Sequence, residues 1–375
     1  MAYYIGVMSG TSMDGVDAIL TDITDTAIAP IAAVSVPYPA GLLEQLHQLC
    51  GISPNEINHL GQADRAVGRV FAEAVNKLLA EHHLSPADIQ AIGSHGQTVR
   101  HYPEGPPGNQ NEDGFTLQIG DPNTIATLTG IDVVADFRRK DIAYGGQGAP
   151  LVPAFHAARF AELGKNRAIV NIGGFANITV LEGIDASAIR GFDTGPGNAL
   201  MDGWCLQHLN QPFDRDGQWA ASGNVHEALL SSLLADPYFV STGPKSTGRE
   251  YFNLVWLRHH LHSLDTPIAA EDVQATLLAL TAITIADKVN ALAQIRECYV
   301  CGGGAFNSQL MAQLEALLPH CKVMATDSLA LNPQWVEGVA FAWLAWAYFH
   351  RVPGNVPNVT GASRAVVLGS LTLAD

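Results

Sequence analysis

Glycine-rich segments with hydroxyl or carboxylate side chains follow apolar stretches at four places in this sequence. Glycine allows the backbone to approach a phosphate closely and to point several N–H groups at it, and serine or threonine hydroxyls add further donors. A single segment of this kind is most often an ordinary turn, but four in one chain favour a phosphate-binding protein. The four segments are 10–17, 173–177, 193–198 and 302–307.

Three carboxylates within these segments, Asp14, Asp17 and Asp193, suit two kinds of chemistry. A carboxylate beside bound phosphates can hold Mg²⁺ through water, and a carboxylate beside a substrate can accept a proton. The residue types alone leave both roles open for each of the three.

Two common nucleotide-binding motifs are missing. The segment 243–247 (GPKST) imitates the end of a P-loop, but the spaced upstream glycine is absent and Pro244 removes a backbone N–H. No G-x-G-x-x-G opens a helix after a strand either. If the chain binds ATP, we therefore expect the glycine turns to bind it.

A second set of polar residues lies just past predicted apolar strands. Ligands of open α/β sheets bind beyond the carboxyl ends of strands, and these side chains suit a sugar with many hydroxyls and an anionic group. The alternative is that they cap helices and brace loops. The set consists of His95, Gln97, Thr98, Asp121, Asp136 and Arg138.

Stretches of strand-like and helix-like apolar period alternate along the chain, which predicts an α/β fold. Residues 3–8 and 16–21 flank the first glycine turn as strands, and 54–82 has helical spacing. Strand, glycine turn and strand recur at 168–181, so we predict two related domains facing each other across a cleft. The other predicted strands are 91–94, 116–119, 132–135, 298–301, 323–325 and 365–373, and the other predicted helices are 272–292, 307–318 and 335–350.

A loop rich in glycine and proline at 145–150 marks the predicted domain junction. It divides the chain into an N-terminal domain, 1–145, and a C-terminal domain, 146–375. The N-terminal domain contains one glycine turn and the set of polar residues that follow strands. The C-terminal domain contains the remaining three glycine segments.

The composition limits the possible partners. The chain has 375 residues, 47% of them apolar and 15% charged, which suits a globular enzyme of two domains. Its formal charge of −16 disfavours nucleic acid as a partner. No signal-peptide pattern and no stretch long enough for a membrane span is visible, and the cysteine count is odd, at five. Together these features favour the cytoplasm.

Six segments, in order along essentially the whole chain, closely resemble the signature sequences of the anhydro-N-acetylmuramic acid kinase family. They are 8–17 (MSGTSMDGVD), 94–98 (SHGQT), 171–179 (NIGGFANIT), 191–198 (GFDTGPGN), 244–250 (PKSTGRE) and 301–307 (CGGGAFN).

The resemblance implies an α/β fold of two actin-like (ribonuclease H-like) domains with an ATP cleft between them. It implies that 1,6-anhydro-N-acetylmuramic acid, ATP and water are converted to N-acetylmuramic acid 6-phosphate and ADP in peptidoglycan recycling. It also implies a homodimer. Two alternatives stay open, namely another amino-sugar kinase of the superfamily and an ATP-gated conformational protein like actin or Hsp70.

By position, the resemblance implies that Asp193 is the general base, and we expect Asp14 and Asp17 to hold Mg²⁺ through water. The sugar pocket of His95, Gln97, Thr98, Asp121, Asp136 and Arg138 is our own expectation from residue types. The expected ATP-binding residues are Gly10, Thr11, Ser12, Met13, Asp14, Gly15, Val16, Asp17, Gly173, Gly174, Asn177, Gly195, Gly302, Gly303, Gly304 and Asn307.

Overall fold

A computed structural model describes residues 2–10, 13, 15–52, 54–106, 113–240, 248, 251–264 and 266–375. Thr11, Ser12 and Asp14 of the first glycine turn lie outside the described residues, as does most of the segment 244–250. The chain forms two compact units. Unit 1 comprises Met1–Arg159 and Trp335–Asp375, and unit 2 comprises Phe160–Gln334.

Strands and helices alternate through both units, as the sequence predicts. The strands are β1 (Tyr3–Met8), β2 (Val16–Ile23), β3 (Ile28–Val36), β4 (Ile89–Ser94), β5 (Gln97–Tyr102), β6 (Phe115–Ile119), β7 (Val133–Ala135), β8 (Asn166–Ile172), β9 (Phe175–Glu182), β10 (Arg190–Pro196), β11 (Glu297–Cys301), β12 (Lys322–Ala325) and β13 (Ser370–Thr372). The helices are α1 (Ala40–Leu49), α2 (Glu56–Glu81), α3 (Pro122–Thr129), α4 (Arg139–Ala143), α5 (Val152–Phe160), α6 (Ala199–Leu209), α7 (Gln218–Ser222), α8 (Glu227–Leu234), α9 (Pro237–Val240), α10 (Leu254–His262), α11 (Ala270–Asn290), α12 (Ser308–Leu317), α13 (Val336–Phe349) and α14 (Pro357–Thr360).

The sheet of unit 1 has the strand order β3-β2-β1-β4-β7-β13. Its first three strands form an antiparallel meander, because β1 and β3 both run antiparallel to β2. On the other side, β4 runs parallel to β1, and β7 runs parallel to β4. The short strand β13 closes that edge antiparallel to β7. A separate hairpin joins β5 to β6.

The sheet of unit 2 has the order β10-β9-β8-β11-β12. Its first three strands again form an antiparallel meander, and β11 and β12 follow in parallel on the other side of β8. Strand for strand, this is the order and direction of unit 1 without the additional edge strand β13. The predicted α/β fold with two related, ribonuclease H-like halves is confirmed.

Helices bury the apolar side chains that their spacing predicts. In α2, Val67, Phe71 and Val75 recur four residues apart and are buried in the core of unit 1. In unit 2, α11 is buried on most of its circumference, with Leu277 and Leu280 in the core. Among the described helices, none combines the length and apolarity that crossing a bilayer requires.

The helix α13 returns the end of the chain to unit 1. A Cβ on Gly6 would lie 1.8 Å from Gly338 O, and a Cβ on Gly93 would lie 1.9 Å from Phe341 O, so helix and sheet backbones are in direct contact. Because α13 and β13 complete unit 1, the observed units differ from the predicted division at residue 145. Within the predicted strand 365–373, only Ser370–Thr372 has strand structure.

Candidate active site

Three of the predicted glycine segments meet in unit 2, at the ends of β8, β10 and β11. The turn between β8 and β9 accepts hydrogen bonds from the loop that follows β10, from Gly197 N to Gly174 O (2.9 Å) and from Asn198 N to Gly173 O (2.8 Å). A Cβ on Gly197 would lie only 2.5 Å from Gly173 O. Glycine is therefore required for this close contact between the two loops.

The third segment joins the same place from β11. A Cβ on Gly302 would lie 2.7 Å from Ile172 O, and a Cβ on Gly304 would lie 2.5 Å from Ile172 Cβ. Gly173, Gly174 and Gly302 are half-buried and Gly303 is exposed. The structure thus brings these predicted residues together as a surface made largely of backbone, which suits a phosphate-bearing ligand.

A buried hydroxyl that the sequence did not single out holds this surface from below. Thr281 of α11 donates its hydroxyl toward both Pro196 O (3.2 Å) and Gly197 O (3.0 Å). Nothing in the local sequence of an apolar helix distinguishes such a threonine from its neighbours.

Asp193 lies in β10, the strand at one edge of the unit 2 sheet. Its partner across the strand pair is Asn177 of β9, and the pairing changes register between Asp193 and Gly195. Asn177 thus lies within a strand and not in the preceding glycine turn. Because cross-strand partners project from the same face, the predicted base and Asn177 are neighbours.

Asn307 has a structural contact of its own. Its side chain accepts a hydrogen bond from Leu310 N at 3.1 Å and so caps the first turn of α12. Its expected role in ATP binding stays a prediction.

The first glycine turn joins β1 to β2 in unit 1. Met13, with a left-handed φ of 60°, is buried and donates its N–H to Gly10 O at 3.2 Å. Val16 begins β2 and is buried, whereas Asp17 is half-buried and accepts a hydrogen bond from the hydroxyl of Ser35 in β3. A carboxylate therefore lies directly beside the described part of the turn.

Gln97 braces this turn from a fully buried position. Its Oε1 lies 2.7 Å from the Ser9 hydroxyl and 3.4 Å from the Tyr38 hydroxyl, and its Nε2 donates to Gly10 O at 3.3 Å. The Ser9 hydroxyl is also 2.8 Å from Gly15 O, so Gly15 O and Gln97 Oε1 are alternative acceptors for its one proton. The expected contact of Gln97 with a sugar stays a prediction.

Buried His95 and half-buried Arg138 form a pair beyond the end of β4. Arg138 directs Nε (3.1 Å) and Nη2 (2.8 Å) at His95 Nε2, and Nη1 donates to Gly148 O at 2.7 Å. Because two donors point at Nε2, that nitrogen must be the acceptor, and the neutral ring carries its proton on Nδ1. Burial and then the Arg138 charge hold the pKa of His95 well below its ordinary value.

Two hydrogen-bonded side-chain pairs extend this polar region along the β5–β6 hairpin. His101 Nδ1 lies 2.9 Å from Thr116 Oγ1, and Gln118 Nε2 donates to Thr98 Oγ1 at 3.2 Å. Burial and the nearby Arg138 charge lower the pKa of His101 to about 4. Thr98 is thus part of a hydrogen-bonded strand pair, and His101 is a neighbour of Arg138 that the sequence did not indicate.

Asp121 and Asp136 both make structural contacts, of the capping and bracing kind that was the alternative to sugar binding. Asp121 caps α3 by accepting from Asn123 N and Thr124 N, each at 3.1 Å. Burial raises the pKa of its carboxyl, but these hydrogen bonds outweigh that effect and the net shift is downward. Asp136 pairs with Arg139 at 2.7 Å. Their expected sugar contacts stay predictions.

Asp141 is a fully buried carboxylate that the sequence did not reveal. It accepts hydrogen bonds from Asn355 Nδ2 (2.6 Å), Thr360 Oγ1 (2.8 Å) and Gly148 N (2.8 Å). Since Gly148 O in turn accepts from Arg138, Asp141 holds the loop that positions the guanidinium. Burial lowers the pKa of Arg138 to about 10, while the charges of Glu337 and Asp141 act in the opposite direction.

The repeated sheets and the glycine turn between the first two strands of each define an α/β protein of the actin-like class. The chain belongs to the anhydro-N-acetylmuramic acid kinase family, since the family model of that description matches residues 2–374. The family predicted from the six segments is thereby confirmed.

Curated relatives are similar over nearly their full length. An anhydro-N-acetylmuramic acid kinase from Shewanella sp. (strain MR-4) is 56% identical over 368 residues, which cover 98% of each chain. One from Shewanella loihica (strain ATCC BAA-1088 / PV-4) is 55% identical over 369 residues with the same coverage.

Two solved structures with bound nucleotide analogues are similar at low TM-scores. The activator of the 2-hydroxyisocaproyl-CoA dehydratase from Clostridium difficile with bound ADPNP has a TM-score of 0.43 at 13% identity, covering 92% of this chain and 94% of that chain. A ROK family glucokinase from Streptomyces griseus in complex with glucose and AMPPNP has a TM-score of 0.39 at 13% identity, covering 92% and 99%. These scores are too low to bear on function.

The neutral state of His101 makes stability depend on pH. Its pKa is about 4 in the folded protein against an ordinary 6.5, so unfolding between these values takes up a proton. The contribution of His101 is full above pH 6.5 and is lost as the pH falls toward 4, by about 1.4 kcal/mol per pH unit within that window. We expect His101→Asn to flatten the dependence of the urea midpoint on pH between 7 and 5.

The exposed His82 provides the control, and His82→Asn should keep the wild-type pH dependence. Identical pH curves for wild type and His101→Asn would contradict a neutral His101.

Proposed function

We propose that this protein is an ATP-dependent anhydro-N-acetylmuramic acid kinase. It opens 1,6-anhydro-N-acetylmuramic acid with water and transfers a phosphoryl group to O6, giving N-acetylmuramic acid 6-phosphate and ADP. The observation that carries the proposal is the 56% identity, over 98% of both chains, to a curated kinase of that name. The meeting of three glycine segments in unit 2 supports it physically.

ATP fits the backbone surfaces that the glycine turns leave open. Thr11 and Ser12 lie outside the described residues, and around them we assign Gly10, Met13, Gly15 and Val16 to the phosphates in unit 1. In unit 2 a Cβ on Gly173 or Gly174 would have its nearest neighbours at 3.8 and 3.6 Å, so the backbone there is open on that side, which supports phosphate binding. In unit 2 we assign Gly173, Gly174, Asn177 and Gly195 to the phosphates and Gly302, Gly303, Gly304 and Asn307 to the adenosine.

Mg²⁺ is expected with ATP, and Asp17 fits it. The carboxylate of Asp17 is half-buried beside the described part of the first turn, and Asp14 lies outside the described residues. When bound, Mg²⁺ neutralises charge on the phosphates. We therefore assign Asp17, with Asp14, to hold Mg²⁺ through water.

Asp193 serves as the general base in this proposal. It takes a proton from water as the water oxygen bonds to the anomeric carbon, and the bond from that carbon to O6 breaks. O6 then bonds to the γ-phosphorus, and the bond from phosphorus to the ADP oxygen breaks. Coupling is needed because an unactivated ether oxygen is a poor nucleophile. A positioned carboxylate contributes about 10²–10⁴-fold to such a step.

His95, Thr98 and Arg138 form the sugar pocket in this proposal. N-acetylmuramic acid carries a carboxylate, and a half-buried guanidinium such as that of Arg138 is a strong partner for one. His95, neutral with Nε2 occupied by Arg138, fixes the direction of that guanidinium. Asp121, Asp136 and Gln97 remain further candidates for sugar contact, although each has a structural partner.

The cellular setting follows from the reaction. The substrate is a fragment of peptidoglycan, so we place the enzyme in cell-wall recycling and amino-sugar metabolism. We also propose a cytoplasmic location, where ATP is available, and a homodimer.

The substrate assignment is tested by ADP release with four reaction mixtures. We expect turnover with 1,6-anhydro-N-acetylmuramic acid, and none with N-acetylmuramic acid, N-acetylglucosamine or no sugar. Preference for the opened sugar would contradict coupled hydrolysis and favour another amino-sugar kinase. Fast hydrolysis without sugar would point to an ATP-gated conformational protein.

Replacing the proposed base should separate chemistry from binding. Asp193→Asn removes the proton acceptor but keeps the size of the side chain, so kcat should fall roughly 10²–10⁴-fold. The dissociation constant for ATP, measured by calorimetry, should change little. Asp185→Asn, an exposed carboxylate of the same unit, should behave as wild type. Near-normal turnover by Asp193→Asn would move the base elsewhere, with Asp14 and Asp136 next to be tested.

Gln97→Leu distinguishes a brace of the phosphate turn from a sugar ligand. The change removes the hydrogen bonds of Gln97 to Ser9 and Gly10. One or two such bonds contribute about 1.4 kcal/mol, which corresponds to a tenfold change in affinity. We expect the KM for ATP to rise about tenfold and the KM for the sugar to change less than twofold. Gln274→Leu removes an equally buried amide from unit 2 and serves as the control. A rise confined to the KM of the sugar would show that Gln97 contacts the sugar.

A further inference from the structure

An aromatic segment packs on the backbone that carries Asp193. The hydroxyl of Tyr238 donates to Asp193 O at 3.4 Å. The ring of Phe239 covers Gly195, where a Cβ would lie 2.7 Å from Phe239 Cε1. The short helix α9 therefore contacts residues 193–195 at two points.

Asp236 holds this segment from a nearly buried position, 9% exposed. Its Oδ1 accepts from Tyr238 N (2.8 Å) and from the Tyr251 hydroxyl (2.8 Å), and its Oδ2 accepts from Trp256 Nε1 (2.9 Å). The ring of Phe252 packs against Tyr238, with centroids 5.1 Å apart. A carboxylate with three donors and a packed ring together fix the direction of the Tyr238 side chain.

The strand that carries Asp193 needs such support. It lies at the edge of the unit 2 sheet, and its pairing with β9 changes register just after Asp193. A register change in an edge strand interrupts the ladder of hydrogen bonds that holds its backbone. The Tyr238 hydroxyl supplies a hydrogen bond at this point.

Tyr238 acts as a donor and not as an acid or base. Burial, and then the charge of Asp193, raise the pKa of its phenol above the ordinary value of 10. The hydroxyl therefore keeps its proton over the range in which a kinase works, and its contact with Asp193 O does not vary with pH.

We propose that Tyr238 is a positioning residue for Asp193: its hydroxyl fixes the peptide of the proposed base, and Asp236 fixes Tyr238. The inference rests on the proposed function of Asp193. A carboxylate that takes a proton from water must lie within hydrogen-bond reach of it, and a displacement of about 1 Å can cost 10²-fold in rate.

The first test is Tyr238→Phe, which keeps the ring and removes the hydroxyl. We expect kcat to fall about tenfold while the KM values for ATP and sugar change less than twofold and the thermal midpoint is unchanged. The matched control is Tyr299→Phe, a buried tyrosine of the same unit whose hydroxyl donates to Glu297 at 3.1 Å. Its kcat should stay within twofold of wild type. A kcat for Tyr238→Phe equal to that of the control would overturn the inference.

The second test is the double variant of Tyr238→Phe with Asp193→Asn. If Tyr238 acts through Asp193, its loss has no further effect once the carboxylate is gone, so the double variant should match Asp193→Asn in kcat. A further tenfold loss in the double variant would show that Tyr238 acts independently and would overturn this inference alone. Near-normal activity of the single variant Asp193→Asn would remove the proposed base, and the inference with it.

Discussion

Direct backbone contact around Ile172 and Gly173 is the constraint on which the arrangement of unit 2 depends. The loop after β10 and the loop after β11 both approach the β8–β9 turn to distances at which a Cβ on Gly197, Gly302 or Gly304 would collide. Three segments far apart in sequence can share one place because glycine stands at Gly197, Gly302 and Gly304, where a side chain would collide with residues 171–174. The N–H groups of Gly173, Gly197 and Gly302 donate to Phe175 O, Gly174 O and Pro333 O, so hydrogen bonds as well as close contacts hold the three segments in place.

In unit 1 the corresponding constraint is a partly desolvated charge, the half-buried guanidinium of Arg138. A buried guanidinium is unfavourable unless hydrogen bonds and opposite charges surround it. Arg138 has His95 and Gly148 O as hydrogen-bond partners, and Asp141 and Glu337 supply negative charge nearby. Asp141 is itself satisfied by three donors. The cation is thus held in a fixed direction before any substrate is bound, which suits recognition of a carboxylate.

The sequence predicted those features of the fold whose signals are local. Apolar period and glycine turns correctly indicated β1, β2, α2 and the repeated hairpin of unit 2. Local signals do not distinguish a residue that caps a helix from one that binds a ligand, because the same side chain after a strand suits both roles. Asp121 and Asn307 both cap helices. Contacts between distant residues have no local signal at all. The return of α13 to β1 and the approach of Tyr238 to Asp193 are of this kind.

The two units share one sheet topology, but different residues follow the equivalent strands. β4 of unit 1 and β11 of unit 2 occupy the same place, parallel to and beside the first strand of each sheet. Beyond β4 the chain continues with His95 and Gln97, whose side chains bind Arg138 and brace the first glycine turn. Beyond β11 it continues with Gly302, Gly303 and Gly304, which have no side chains. In the proposed function, the end of β4 therefore suits a polar, charged ligand such as the sugar acid. The end of β11 suits a ligand that lies against backbone, such as a nucleotide.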